Sequence, residues 1–165
     1  MQTVYIETSI ISYLRAKNSL QVTSVAKQIV TRRWWEEERH NYQMVISQHV
    51  LDEVSAGNPT LAAERLACLN DVPVLESPPA VALMAERLLA SALLPAKARL
   101  DALHICTAAF HRLDYLLTWN CAHIANARTI PRIRNILSEL GYDLPVVCTP
   151  EEMIDDPNDG ILDFD

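Results

Sequence analysis

The sequence predicts an α/β protein: a three-layer α/β/α sandwich with a small, mainly parallel central sheet. Three observations carry this. Apolar runs of strand length alternate with helix-length segments along the chain, an order that implies parallel strands joined by crossover helices. The 165 residues, half of them apolar, suffice for one packed core. Only three glycines occur, too few for an all-β fold with many tight turns or for a glycine-rich phosphate loop.

The elements follow in order. Residues 3–7 read as a first strand, and "TSIISYL" starts a helix with Thr8 or Ser9 as its N-cap. Residues 22–40 read as one long helix ending in Trp34, Trp35 and "EEER", with the indoles packed in the core or on a partner surface. "QMVIS" (43–47) is a second strand, and "QHVLDEVSAG" a helix closed by Gly57 before the Asn58-Pro59 break. "TLAAERLACLN" is helical, "VPVLES" a short strand, and 78–94 a helix with prolines at its start. Residues 97–113 form a helix whose broad apolar face carries Leu100, Leu103, Ile105, Ala108 and Ala109. "DYLLTW" (114–119) is a strand, "CAHIAN" a helical turn, and "IPRIRNILSELGYD" a helix with Pro131 in its first turn and Gly141 past its end. "LPVVCT" is the last strand.

Charge divides the chain. Of 21 acids, seven lie in 151–165, which holds no base; residues 1–150 carry 14 acids against 14 bases. We therefore read 1–150 as one neutral domain and 151–165 as an acidic C-terminal tail, either solvated or folded over basic residues or a partner. The overall acidity does not argue against a nucleic-acid partner for the body. Cys68, Cys106, Cys121 and Cys148 form no C-x-x-C pair and read as reduced thiols rather than a zinc or disulfide framework. No apolar run is long enough to span a bilayer and no signal-peptide pattern is present, so the expected compartment is the cytoplasm.

In parallel α/β sheets the ligand crevice lies outside the carboxyl ends of the strands. Glu7 falls at that end of the first strand, Glu53 in the helix after the second, Asp101 early in the 97–113 helix, and Asn120 directly after "LLTW". Such a rim is costly unless a cation offsets its like charges. Hard divalent ions take oxygen donors, and the chemistry suited to such a cluster is metal-assisted phosphodiester hydrolysis.

At these residues the chain resembles the PIN domain family, the nuclease fold of VapC-like toxins. "VYIETSIISYL" is similar to the family's opening strand ending in an acid, and "SQHVLDEVSAG" to its second motif. "LDALHICTAAFHRLDYLLTWNCAHIAN" is similar to the third and fourth, Asp-Ala-x-His on a helix and then a strand ending in Thr-Trp-Asn with a following His. The resemblance covers nearly the whole chain in family order. It implies a metal-dependent endoribonuclease using Mg2+ or Mn2+ on an RNA substrate. Its catalytic and metal-binding positions are Glu7, Glu53, Asp101 and Asn120, with Ser9 positioning the first acid or a metal-bound water. It also implies a cognate antitoxin and a homodimer.

Two departures stand out. The family's first acid is usually Asp, and its fourth position is often Asp where this chain has Asn120. Three negative charges then remain, which predicts one tightly held metal, with a second recruited by substrate phosphate if one is used. Weak activity or a Mn2+ preference stays open, as does a degenerate module that binds RNA or protein without cutting it.

Plainer roles compete at each position. Glu7 and Asp101 also suit helix starts, Glu53 has Asp52 beside it, and Asn120 suits a turn. His104 shares the Asp101 face and reads as a locally hydrogen-bonded support rather than a ligand; His123 reads as support near the rim. His49 and His111 are set aside as non-catalytic. Arg128, Arg132 and Arg134 form the basic cluster nearest the rim, read either as RNA-phosphate contacts or as a solvated helix start. A phosphoacceptor receiver domain shares this layout, but "ETS" and "LPVVCTP" supply neither the acidic pair nor the lysine it requires.

Overall fold

A computed structural model describes residues 1–17 and 19–155. Five parallel strands form one sheet in the order β3-β2-β1-β4-β5: β1 (Gln2–Ile6), β2 (Tyr42–Ser47), β3 (Val74–Leu75), β4 (Tyr115–Leu117) and β5 (Val146–Cys148). Val4 pairs with Met44 on one side and Tyr115 on the other, which fixes β1 at the centre. A central parallel strand is covered on both faces and so reads as a continuous apolar run. Val4, Tyr5 and Ile6 are all fully buried.

Seven α-helices among the described residues form the outer layers: α1 (Thr8–Arg15), α2 (Val22–Arg33), α3 (Gln48–Val54), α4 (Pro59–Ala67), α5 (Pro79–Ala90), α6 (Arg99–Phe110) and α7 (Ile130–Glu139). Helix α1 packs on α2, α3 and α4, whereas α5 packs on α6 and α7. The architecture is the predicted α/β/α sandwich. No described helix is long and apolar enough to cross a membrane.

Several local readings change. The N-cap of α1 is Glu7 in an extended conformation, with Thr8 and Ser9 already inside the helix. Their hydroxyls bind side-chain carboxylates instead of capping backbone N–H groups. The long helix is α2 followed by a π turn (Trp34–Glu38) and a 3-10 turn (Arg39–Asn41), and both indoles enter the core. Helix α6 is buried all round from Ala102 to Ala109, and Leu100, placed on its apolar face by periodicity, is 44 % exposed. Leu100 precedes the stretch that other elements surround.

The start of the acidic segment is structured. A capping box between Thr149 and Glu152 opens a 3-10 turn, Pro150–Met153, and Met153 and Ile154 pack on the core. Residues 156–165 of the predicted tail lie outside the described residues. Among the cysteines, Cys106 and Cys148 are buried, Cys68 is half-buried and Cys121 exposed, all as free thiols.

Candidate active site

The carboxyl ends of β1, β2 and β4 deliver Glu7, Ser47 and Thr118 to one rim. The Glu7 N–H extends the ladder by donating to the Leu117 carbonyl at 3.1 Å. Its side chain is 5 % exposed. Ser9 Oγ (2.5 Å) and Thr118 Oγ1 (2.6 Å) both donate to Glu7 Oε2. The same two hydroxyls accept backbone N–H groups, Ser9 from Trp119 at 2.8 Å and Thr118 from Asn120 at 2.9 Å. The Trp119 ring is buried and its Nε1–H donates to Thr31 of α2 at 2.7 Å. The first acid is thus clamped between the N-terminal turn of α1 and the segment after β4.

Glu53 reaches this rim from α3. Its Oε2 accepts from Thr8 Oγ1 (2.5 Å) and meets His104 Nε2 of α6 at 2.8 Å. Burial by itself raises the Glu53 pKa, but the hydrogen bonds from His104 and Thr8, with the charges of His104 and His49, outweigh it and hold the carboxyl below its ordinary range. An ionised carboxylate only accepts, so His104 Nε2 carries the proton. His104 Nδ1 lies 2.7 Å from the Tyr5 hydroxyl, which lies 2.6 Å from Ser47 Oγ. In the neutral ring Tyr5 then donates to Nδ1 and accepts from Ser47; when His104 is charged the direction along this chain reverses. Burial is the main cause that drives the Tyr5 pKa strongly upward, which keeps the phenol a neutral donor. His104 and Ser47 are fully buried.

One ligand atom each from Glu7, Glu53 and His104 lies within 4.8 Å of the other two. All the side-chain hydrogen bonds on each glutamate fall on Oε2, so Oε1 of both is without one among the described residues.

Asp101 is not in that group. Its Oδ1 accepts from Asn120 Nδ2 at 2.9 Å and its Oδ2 from His123 Nδ1 at 2.7 Å. The His123 N–H in turn donates to Asn120 Oδ1 at 3.1 Å, closing a ring of three residues. The two sets adjoin through Thr118, which binds the Glu7 carboxylate with its hydroxyl and the Asn120 N–H with its oxygen. The structure thus brings together Glu7 with Glu53, and Asp101 with Asn120. Asp101 and His104 share a helix face but serve different partners.

Arg128 lies in the loop after His123, and Arg132 and Arg134 lie on α7. All three are exposed, and among the described residues no acid pairs with them. Positions two apart on a helix diverge, so Arg132 and Arg134 face different directions. His49, set aside earlier, stacks edge-on to His104 with centroids 6.4 Å apart. Burial first, and then the charge of His104, lowers its pKa. His111 binds the Glu76 carbonyl at 2.8 Å.

Tyr5, Ser47 and Thr118 carry much of this geometry without having been assigned a role, and Thr8, expected only as a helix cap, holds Glu53. Ser47 and Thr118 stand inside the quoted motifs. Tyr5 shares the Glu7 face of β1 by strand alternation, a weak signal in a fully buried strand.

The chain has a PIN/VapC-like fold. It superposes on a chain in the structure of VapBC-1 from nontypeable Haemophilus influenzae with a TM-score of 0.53, over 91 % of this chain and 99 % of that one. The two sequences are 16 % identical, so the likeness is one of fold. No family model matches the sequence, and no curated protein does.

Proposed function

We propose that the chain is a metal-dependent endoribonuclease, the toxin of a type II toxin–antitoxin pair. The observation that carries this is the convergence of Glu7, Glu53 and His104 at the strand ends of a PIN/VapC-like fold. The donor set fits a divalent cation. Two glutamates lie close together, one nearly buried, and among the described residues one oxygen of each is without a side-chain hydrogen bond. Such a pair calls for an offsetting cation. Glu7 and Glu53 would hold Mg2+ or Mn2+, with Asp101 and Asn120 as further oxygen donors. When bound, the cation supplies a more acidic water and neutralises charge developing on the phosphate.

The chain's own residues do the rest. Ser9 and Thr118 fix Glu7, and Thr8 and His104 fix Glu53. His123 and Asn120 orient Asp101. Arg128, with one of the diverging pair Arg132 and Arg134, holds RNA phosphates flanking the cut. A toxin role brings an antitoxin and a homodimer in the cytoplasm as partners and setting. Val22 and Ile29 of α2, seven residues apart on one helix face and 83 % and 59 % exposed, support a helix-borne partner surface.

The test is cleavage of a structured RNA panel with Mg2+, Mn2+ or EDTA, with Glu7→Gln and Asp101→Asn alongside. Cleavage that needs metal and disappears in both variants supports the reading. Equal traces from wild type and variants overturn it. RNA binding without cutting would instead favour a non-catalytic module, a reading to which the engagement of both Asp101 oxygens by Asn120 and His123 lends support.

A further inference from the structure

We propose that His104 is a nitrogen ligand of the site's cation, so that the site takes a first-row transition dication in preference to Mg2+. The inference rests on the metal reading above and deepens it. Mg2+ is served by oxygen donors. An imidazole among the donors favours transition ions. His104 is the one group of the converging three that is not an acid, and its ring is fully buried with Nε2 turned to the Glu53 carboxylate.

The spacing suits coordination. His104 Nε2 and Glu53 Oε2 are 2.8 Å apart. Two adjacent donors bound at about 2.1 Å to one ion stand about 3 Å apart. Charge balance also fits: two carboxylates and a neutral imidazole bring a dication to zero at a site where Glu7 is nearly buried. Behind the ring stands the support that ligating histidines carry on their second nitrogen. With Nε2 on the metal, the ring stays neutral with its proton on Nδ1. That proton is donated to Tyr5 Oη, 2.7 Å away, and the Tyr5 hydroxyl turns to Ser47 at 2.6 Å. Because hydroxyls both donate and accept, Tyr5 serves either tautomer. The other rim histidine differs: the nearest acid to His123 is Asp101, outside the converging group.

Pulsed electron paramagnetic resonance of the full chain loaded with Mn2+ tests this. A directly bonded imidazole gives a nitrogen coupling that changes when histidine is labelled with 15N. The expected result is that coupling in wild type, retained in His49→Gln and in His123→Gln and lost in His104→Gln. Should His104→Gln fail to fold, Tyr5→Phe supplies the second arm, with Mn2+ affinity falling about 10–100-fold. Calorimetry should show wild type binding Mn2+ more tightly than Mg2+. Bound Mn2+ without nitrogen coupling, or a coupling that survives in folded His104→Gln, overturns the inference and leaves the RNA-cleavage reading standing. Failure to bind Mn2+ at all overturns the metal reading with it.

Discussion

Replacing Thr118 by valine keeps the shape of a fully buried residue and removes its hydroxyl. Two hydrogen bonds go with it: the 2.6 Å bond donated to Glu7 Oε2 and the 2.9 Å bond accepted from the Asn120 N–H. A bond to a charged group contributes about 1.5–3 kcal/mol and a neutral one about 0.5–1.5 kcal/mol. Asn120 is only partly buried, so its freed N–H is open to hydration and adds little. The expected loss is about 2–4 kcal/mol. With a urea slope of about 2 kcal/mol per M, the unfolding midpoint falls by about 1–2 M. Thr118→Ser is the control, because it keeps the hydroxyl and loses one buried methyl, about 1 kcal/mol. Urea titrations followed by tryptophan fluorescence, in EDTA, compare the two. If valine costs less than about 0.5 kcal/mol, or less than serine, the clamp on Glu7 does not stabilise the fold and the argument fails.

Glu53 gives a pH signature. Its folded pKa is depressed below 4.5, so its contribution is fully present above that value and is lost as pH falls through the folded one. The stability gap between wild type and Glu53→Gln should narrow on acidification below about 4.5; a gap that stays constant down to about pH 3 would count against the His104 and Thr8 bonds. Gly57 and Gly141 hold φ of +89° and +83° with open space where a Cβ would sit. Alanine at either should therefore cost only backbone strain, about 1 kcal/mol net of the stiffer unfolded chain, and an unchanged melting temperature would refute this. Burial pushes the Cys106 thiol up to about 12. Peptide mapping after alkylation of the native protein near neutral pH should find Cys121 modified and Cys106 intact; early labelling of Cys106 would show that α6 opens.

The alternation of apolar runs and helical segments was enough to read the layers, because burying Val4, Tyr5 and Ile6 on both faces leaves a plain mark in the chain. Helix ends and side-chain partners were harder to read. Thr8 looks like an N-cap because serine and threonine cap helices locally. A carboxylate 45 residues away takes its hydroxyl instead. Similarly, Asp101 and His104 sit three apart on one face, yet only the packing of α6 against α3 and the 118–123 segment decides that one meets Asn120 and the other Glu53. The widening of the helix at Trp34 and Trp35 has no local signature beyond the adjacent indoles. Leu100 satisfied the periodicity and is exposed because periodicity does not say where along a helix the covering elements begin.

The order β3-β2-β1-β4-β5 has a consequence for how the molecule comes into being. Of the five strands of this sheet, the earliest in the chain is the middle one, and its second neighbour pairs Ile6 with Leu117. Until that distant segment is synthesised, one edge of β1 stands unpaired, a template for another extended chain, and closing so long a loop slows folding. Thr118 and Asn120 arrive directly after the same strand, so this side of the rim forms as β1 gains its second neighbour, before the edge strand β5 is made. A nascent chain halted before β4 would carry an unpaired β1 edge and would lack Thr118, Trp119 and Asn120, which hold the Glu7 side of the rim together.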